Sequence, residues 1–378
     1  MKILHVSSGH MYGGIETALV SLARLSAFCP EPEHHFALCF EGRLSCGLNA
    51  FKAPVYLLGE AKLGRPLSVP GARKRLQSVI RKSGCDVVIC HGPRTMVLFA
   101  STVRVVKRPL VMWAHGVKAQ SGWLNWLLRR VPPDLAICNS RYTREALAPL
   151  FPLVESKVIH HPMDMKAEQI SSLESRSVRA ELDTPSDSVV IVQASRMVAL
   201  KGHRNLIDAL AGLETSVLWR CWIAGGAQSR AEERYLHNLE LQVQAQGLAD
   251  RVRFIGQRDD IPRILSAADI FCQPNQMPDS FGIVFIEAML AGLPVVTTAM
   301  GAASEVVNQE SGVLVEANNR PALTTTLHQL ITDPAYRRRV SEGGAARARQ
   351  LCDPAARLSD LQAALEKLLL ANQASSKE

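Results

Sequence analysis

Long apolar runs are missing from this 378-residue chain. No stretch of about 18 uninterrupted apolar residues occurs, which argues against a helix spanning a bilayer. Cysteine supplies no framework either. There are nine, an odd number, set in apolar segments such as VVIC, LAICNS and IFCQP, so reduced core cysteines are expected rather than a disulfide scaffold. Cys85, Cys90 and His91 come nearest to a metal cluster, but the cysteines flank the strand-like DVVI without a closely spaced second pair, and no metal site is expected. Aromatic residues make up only 5% and no nucleic-acid motif appears, so nucleic acid is not an expected partner. A signal-type apolar region with a cleavage site is absent from MKILHVSSGH, which reads as a strand, and a cytoplasmic location is expected. No DxD triplet follows any strand-like run, Asp259 and Asp260 being only an adjacent pair. The GxGxxG dinucleotide fingerprint is missing too, which weighs against NAD.

What is present points to two globular domains. Apolar residues reach 47%, and the length exceeds what one core usually serves. Charge is uneven: residues 1–164 hold 21 Lys and Arg against 10 Asp and Glu, whereas the remainder holds 22 against 25. The basic character therefore belongs to the first half and by charge alone points to an anionic partner there, whether nucleic acid, which the scarcity of aromatics disfavours, a phosphate-bearing substrate or an acidic membrane surface.

Short β-branched runs recur, each followed by a turn and a helix-like segment: KILHVSS before GGIETALVSLARLSAF, DVVICHG, PLVMWAHG, and DLAICNS before RYTREALAPL. Such alternation predicts a parallel sheet with helices on both faces. The rhythm stops near KVIHHPMDMKAEQI, and residues up to about Ser188 read as polar and strandless. It restarts at SVVIVQASR and continues through VLWRCWIAGG, RVRFIGQ, DIFCQPN, PVVTTA and SGVLVEA. The expected fold class is α/β, with two Rossmann-like doubly wound domains facing a central cleft. Residues 1–164 form the first, 165–353 the second, and 354–378 an amphipathic helix returning to the first, with QASSKE disordered.

Chemistry-bearing residues cluster in the strand-to-helix connections. Gly13 and Gly14 precede a helix whose first amides suit a phosphate; a tight turn without a ligand fits the same residues. Arg196 and Lys201 leave one connection and can converge on one anion, the first as a planar fork and the second as a point charge. Solvated surface is the ordinary alternative for two such cations. In DSFGIVFIEAMLAGLPVV the amides around Gly282, Ile283 and Val284 open a helix and could hold a diphosphate. Glu287, one turn on, could accept two hydrogen bonds from a ribose diol, with Asp279 facing what lies beyond the phosphates. The plain alternative makes Glu287 a core acid and Asp279 a helix cap.

GGIE, SRMVALKGHRNLIDAL, VRFIGQRDDIPRILSAADIFCQP and DSFGIVFIEAMLAGLPVV together resemble the GT-B glycosyltransferases of family 4, a retaining group that uses nucleotide sugars. The resemblance runs in order along nearly the whole chain. It implies a donor site in the second domain, with Arg196 and Lys201 on the diphosphate and Ser280, Phe281, Gly282, Ile283 and Val284 at the phosphate-binding turn. Glu287 would take the ribose. Asp279 stands at the first acid of the family's E-x7-E motif, which contacts the donor sugar, where Glu is usual. His115, ending VMWAHG, matches a histidine that faces the sugar from the first domain. Gly13 and Gly14 would join the donor site. The implied reaction retains anomeric configuration, needs no metal or separate cofactor, and draws on a UDP- or GDP-linked sugar. Two other readings are a nucleotide-sugar epimerase or hydrolase of the same architecture, which would turn over donor without acceptor, and a non-catalytic sugar-nucleotide-binding protein.

Acceptor clues lie in the first half. PGARKRLQSVIRKSG is basic, and QSGWLNWLLRRVPP sets two Trp beside two Arg, a pattern fit for an anionic membrane surface or for an ordinary amphipathic helix. A glycan or lipid-linked acceptor is expected, with peripheral attachment to an inner membrane face. Asn139, Ser140 and Thr143 read as a helix start, Ser140 or its neighbour capping it, with a weaker claim to bind substrate.

Overall fold

The first strand, Lys2–Ser7, is buried on both faces from Ile3 to Ser7, the condition that helices on both sides of a parallel sheet create. A computed structural model describes residues 1–9, 11–28, 31–116, 122–165 and 171–375. Two units divide the chain: Met1–Asp164 with Cys352–Glu378, and Met165–Leu351.

In the first unit the strands are β1 (Lys2–Ser7), β2 (Glu33–Leu38), β3 (Val55–Leu57), β4 (Val87–His91), β5 (Leu110–Ala114), β6 (Leu135–Cys138) and β7 (Ser156–Val158). They form one parallel sheet in the order β3-β2-β1-β4-β5-β6-β7. The order reverses between β1 and β4, and ligands of open α/β sheets bind outside the strands' carboxyl ends at such a reversal. The helix Pro354–Ser375 closes this unit. Its Leu361, Ala364 and Leu365 enter the core formed by Ile3, Val87, Ile89, Val111 and Trp113. Each fully buried leucine contributes about 1.5–3 kcal/mol. That helix runs to Ser375, so Gln373, Ala374 and Ser375 are helical where disorder was expected. The expectation for residues 376–378 lies outside the described residues.

The second unit has β8 (Val189–Ala194), β9 (Trp219–Ala224), β10 (Val252–Gly256), β11 (Ile270–Gln273), β12 (Val295–Thr298) and β13 (Gly312–Val315). Their order is β10-β9-β8-β11-β12-β13, all parallel, and the reversal falls between β8 and β11. Two parallel doubly wound sheets are the architecture that the alternating pattern implied.

Three strands escaped the sequence reading. β3 and β7 are three-residue edge strands, too short for a period to show. β2 carries His34 and His35 in EHHFAL, which hides its apolar character although both imidazoles are buried. The polar stretch holds no strand between Val158 and Val189 among the described residues, but it does hold a helix, Ser172–Glu181, opened by a capping box in which Ser171 and Glu174 bond each other's backbone. Residues 166–170, in the expected linker, lie outside the described residues.

Candidate active site

The reversal between β8 and β11 gathers the candidate donor residues of the second unit. Arg196 and Lys201 follow β8, and Asp279 to Glu287 follow β11. Lys201 ends a short 3-10 turn, Ala199–Lys201, and Gly202 behind it has a φ of +75°. A Cβ there would stand 1.8 Å from the Pro274 carbonyl oxygen, so only glycine lets the turn lie against the end of β11. Gln193 locks the turn from β8 by donating to the Lys201 carbonyl at 2.8 Å.

Thus held, Lys201 donates from Nζ to Asp279 Oδ2 at 2.6 Å. The other carboxylate oxygen, Oδ1, accepts from the Ser280 amide at 2.8 Å. Asp279 is anchored through its backbone as well: its carbonyl accepts from Ala302 N–H at 2.9 Å, and it bridges to Gly301. Gly301 has a φ of +62°, and a Cβ on it would come within 2.4 Å of the Asp279 carbonyl oxygen. Lys201 and Asp279, separate expectations for phosphate and sugar, are thus a single ion pair in this structure.

Arg196 is likewise engaged. It donates through its guanidinium to Glu232 Oε1, on the helix Arg230–Ala245 that Ser229 caps. Glu232 is buried, and its Oε2 accepts from Gln228 N–H at 2.7 Å. Nothing in the sequence singles out Glu232, since an acid in the first turn of an amphipathic helix looks like ordinary dipole compensation. Gln193, Gly202 and Gly301 were missed for a similar reason: their roles depend on neighbours distant in the chain.

At the turn expected to bind phosphate, Gly282 adopts a φ of +82° and starts the helix Ile283–Leu290. Among the described residues the Ile283 and Val284 amides have no intrahelical acceptor and are available to an anion, while Phe285 N–H donates to the Gly282 carbonyl at 2.9 Å. Phe281 and Ile283 are buried, so any part they take in binding falls to their backbone. Glu287 is half-buried within a helix whose other side chains are apolar. Burial pushes its carboxyl up to about 7, because no donor among the described residues offsets the lost hydration.

Asp260, half of the adjacent acid pair, is held by Arg258 through two 2.7 Å contacts and by Arg263. Glu181 joins both arginines, and this network of ion pairs gives Asp260 a structural task.

In the first unit, Gly13 is extended at φ −165°, a conformation open to any residue. Its N–H donates to Glu16 Oε2 at 2.9 Å, so this amide, expected to be free for phosphate, is capped by the Glu of GGIE. Gly14 begins the helix Gly14–Ser26. His115 stands just past β5. Its Nε2 meets His91 Nδ1 at 2.7 Å, and His161 stacks on it with ring centroids 5.1 Å apart. Burial, then the neighbouring His91 and His161, holds the His115 imidazole well below its ordinary pKa. Ser140 Oγ accepts from Thr143 N–H at 3.0 Å, which makes Ser140 the helix cap. Asn139 donates to the His115 carbonyl at 3.4 Å, a structural duty. Cys85 and Cys90 are buried free thiols, and His91 bonds to histidines on both sides.

The helix Gly122–Arg130 buries Leu124 and Leu128, while Trp123 and Trp126 remain 56% and 53% exposed. The Arg130 guanidinium lies 4.0 Å from the Trp126 ring centre. Residues 117–121 lie outside the described residues. Not all the nearby basic charge is free: Arg73 donates to the Leu98 carbonyl and Arg75 to that of Leu58. No helix among the described residues is long and apolar enough to cross a membrane.

Comparison with known proteins accounts for this arrangement. The family model "Glycosyltransferase Family 4" matches residues 12–166, and "Glycosyl transferases group 1" matches 174–347. Phosphatidyl-myo-inositol mannosyltransferase of Mycobacterium leprae is 29% identical over 297 residues, 74% of this chain and 73% of that protein. Lipopolysaccharide core biosynthesis glycosyltransferase LpsE of Rhizobium meliloti is 32% identical over 167 residues, which span only 44% of this chain and 46% of LpsE. Among solved structures, Anabaena Alr3699/HepE in complex with UDP and glucose superposes with a TM-score of 0.86 at 25% identity, over 97% of this chain and 100% of that one. With both halves matched in order and two parallel doubly wound sheets in sequence, the chain belongs to the GT-B glycosyltransferases of the family 4 type.

Proposed function

We propose that the protein transfers a sugar from a nucleoside diphosphate sugar to a hydroxyl of a glycan or lipid-linked acceptor, with retention at the anomeric carbon and without a metal. The observation that carries this reading is the convergence of Lys201, Asp279 and the helix start at Gly282 beside the β8–β11 reversal. Two cations and a row of helix-end amides match a leaving diphosphate. As the bond from the anomeric carbon to the phosphate oxygen breaks, Arg196 and Lys201 would stabilise the charge that develops there. Both are already oriented, Arg196 by Glu232 and Lys201 by Asp279, so little reorganisation is needed.

Glu287 would receive the two ribose hydroxyls, which supply the hydrogen bonds that its carboxylate lacks in the described structure. Asp279, linked to Lys201, would bring a carboxylate to the sugar, and His115 would address a sugar hydroxyl. Gly14, at the helix start beyond the capped Gly13, is the remaining candidate from that turn. Acceptor attack on the face that the diphosphate leaves gives retention without a covalent protein nucleophile.

UDP is the favoured carrier, because Alr3699/HepE was crystallised with UDP and with UDP-glucose; GDP is second, since a relative from Mycolicibacterium smegmatis carries the name GDP-mannose-dependent. Related names include lipopolysaccharide core and phosphatidylinositol mannoside enzymes, which favours a lipid-linked or glycan acceptor. Trp123 and Trp126, with Arg130 beside them, would rest on an anionic bilayer at the cytoplasmic face.

The test is a panel of UDP-, GDP- and ADP-sugars with glycan and lipid-linked acceptors, read by release of nucleoside diphosphate and by NMR of the product anomer. Transfer with retention in the presence of a chelator is expected. Absence of donor binding across the panel, or an inverted product, would overturn the assignment.

A further inference from the structure

Four imidazoles form an unbroken hydrogen-bonded row across the first unit's sheet. His34 lies on β2, His5 on β1, His91 at the end of β4 and His115 just past β5, on four strands adjacent in the sheet. Strand register explains how they meet. His34 is level with Ile3, His5 with Ile89, and His91 with Trp113, so each step to the next strand climbs two residues. A two-residue step preserves the face of the sheet, and the row climbs diagonally to the carboxyl edge. His34 Nδ1 is 2.8 Å from His5 Nε2, His5 Nδ1 is 2.9 Å from His91 Nε2, and His91 Nδ1 is 2.7 Å from His115 Nε2. Both ring nitrogens of His5 and His91 are thereby used.

Burial keeps these rings neutral, holding His34 down at about 4 and the other three well below their ordinary range. A neutral imidazole has one N–H and one lone pair, and every contact in the row needs one of each. Only two arrangements satisfy all three contacts. Either every ring carries its proton on Nδ1, which leaves an N–H at the His115 end, or every ring carries it on Nε2, which leaves the N–H at the His34 end. The surroundings of the two ends choose between them. His115 Nδ1 is buried with no partner among the described residues, whereas His34 Nε2 is not among the buried unpartnered nitrogens. A buried N–H without an acceptor is rarer than an under-used acceptor, so the spare N–H belongs at His34.

We propose that His5, His34 and His91 are positioning residues for His115: the row fixes His115 as its Nε2–H tautomer and holds Nδ1 unprotonated, as the hydrogen-bond acceptor for a hydroxyl of the donor sugar. The inference rests on the assignment of His115 to the sugar, and it gives that histidine a defined polarity, accepting rather than donating. It also gives a reason for three buried imidazoles in one sheet, since each bonds to the next.

Long-range ¹H–¹⁵N NMR of protein labelled at histidine, without substrate, reads the tautomers directly, with signals assigned by single His→Gln variants. All four rings are expected to show a bare Nδ1 and a protonated Nε2. A protonated Nδ1 on His115, or averaged tautomers along the row in the wild type, would overturn the proposal. Cutting the row with His5→Phe is expected to give His115 a mixed tautomer signal and to lower kcat by about tenfold, the scale of one hydrogen bond in the transition state, with donor KM nearly unchanged. His5→Gln, with an amide that both donates and accepts, should restore the single tautomer. An unchanged His115 signal in His5→Phe would refute the row's control. Should the wild type show the expected tautomers but transfer no sugar, the donor-site reading would fall and the row would stand.

Discussion

Lys201 Nζ lies 2.6 Å from Asp279 Oδ2, with the two side chains only 21% and 16% exposed. The pair joins the connection after β8 to the loop after β11 across the sheet's reversal. Under the proposed function, it gives physical content to the Asp at a position where the resemblance implies Glu. The short side chain keeps one oxygen on its neighbour's amide, Ser280 N–H, while the other reaches Lys201. A longer acid would lose the first contact or push against the second.

Replacing Lys201 with Met should lower kcat by about a hundredfold, the usual scale for removing one charged donor from a developing oxyanion. Steady-state kinetics with the preferred donor would check it. Asp279→Glu should alter the ratio of kcat/KM between two sugars on one nucleotide by about tenfold, since pocket contacts of this size discriminate by 1–3 kcal/mol. An unchanged ratio would detach Asp279 from the sugar.

Glu232→Ala should reduce turnover through Arg196. The lost charge-assisted bond corresponds to about 1.5–3 kcal/mol, so a fall in kcat of about ten- to a hundredfold is expected, while nucleotide affinity changes less. Glu232→Gln, which keeps an acceptor in place, should recover part of the loss. Equal losses in both variants would show that Glu232 acts by charge alone.

Nucleotide binding should tighten as pH rises. Glu287 titrates near 7, above its ordinary carboxyl value, so folding stability from this group is fullest at acid pH and declines as pH rises through 7. Ribose hydroxyls donate to the ionised form, so binding draws the proton off. If only that form binds, affinity increases by about tenfold between pH 6 and 8, with proton release near neutrality. Calorimetry in buffers of different ionisation enthalpy would measure both. Glu287→Gln should abolish the pH dependence and weaken binding throughout.

Trp123→Ala with Trp126→Ala should decrease co-sedimentation with vesicles containing phosphatidylglycerol, and leave the melting temperature within a few degrees. Both rings are more than half exposed, and exposed substitutions usually cost within about 0.5 kcal/mol. Binding should also weaken with salt, because nearby cations contribute about 1 kcal/mol each at an anionic surface. No change in sedimentation would remove this helix from any membrane role.

The sequence by itself determined the two-sheet α/β architecture. β-branched runs alternating with helical segments have few other ways to bury their apolar faces, and DIFCQPN, FIEAMLAGL and PVVTTA each became the element that their composition implies. It also put Arg196, Lys201 and Asp279 on connections at the carboxyl ends of strands and Glu287 one turn into the helix that follows, because the crossovers are regular. What it could not show were relationships set by register and by turns closing over distant backbone. The pairing of Lys201 with Asp279 needs Gly202 against Pro274 and Gly301 against Asp279. Glu232 reaches Arg196 only because the Arg230–Ala245 helix lies beside the end of β8. His34 hid in a strand whose histidines broke the apolar pattern, and its meeting with His5, His91 and His115 follows from a two-residue climb between strands. Local periodicity selects elements; hydrogen-bond register and close backbone approach, both properties of the packed sheet, decide which side chains meet.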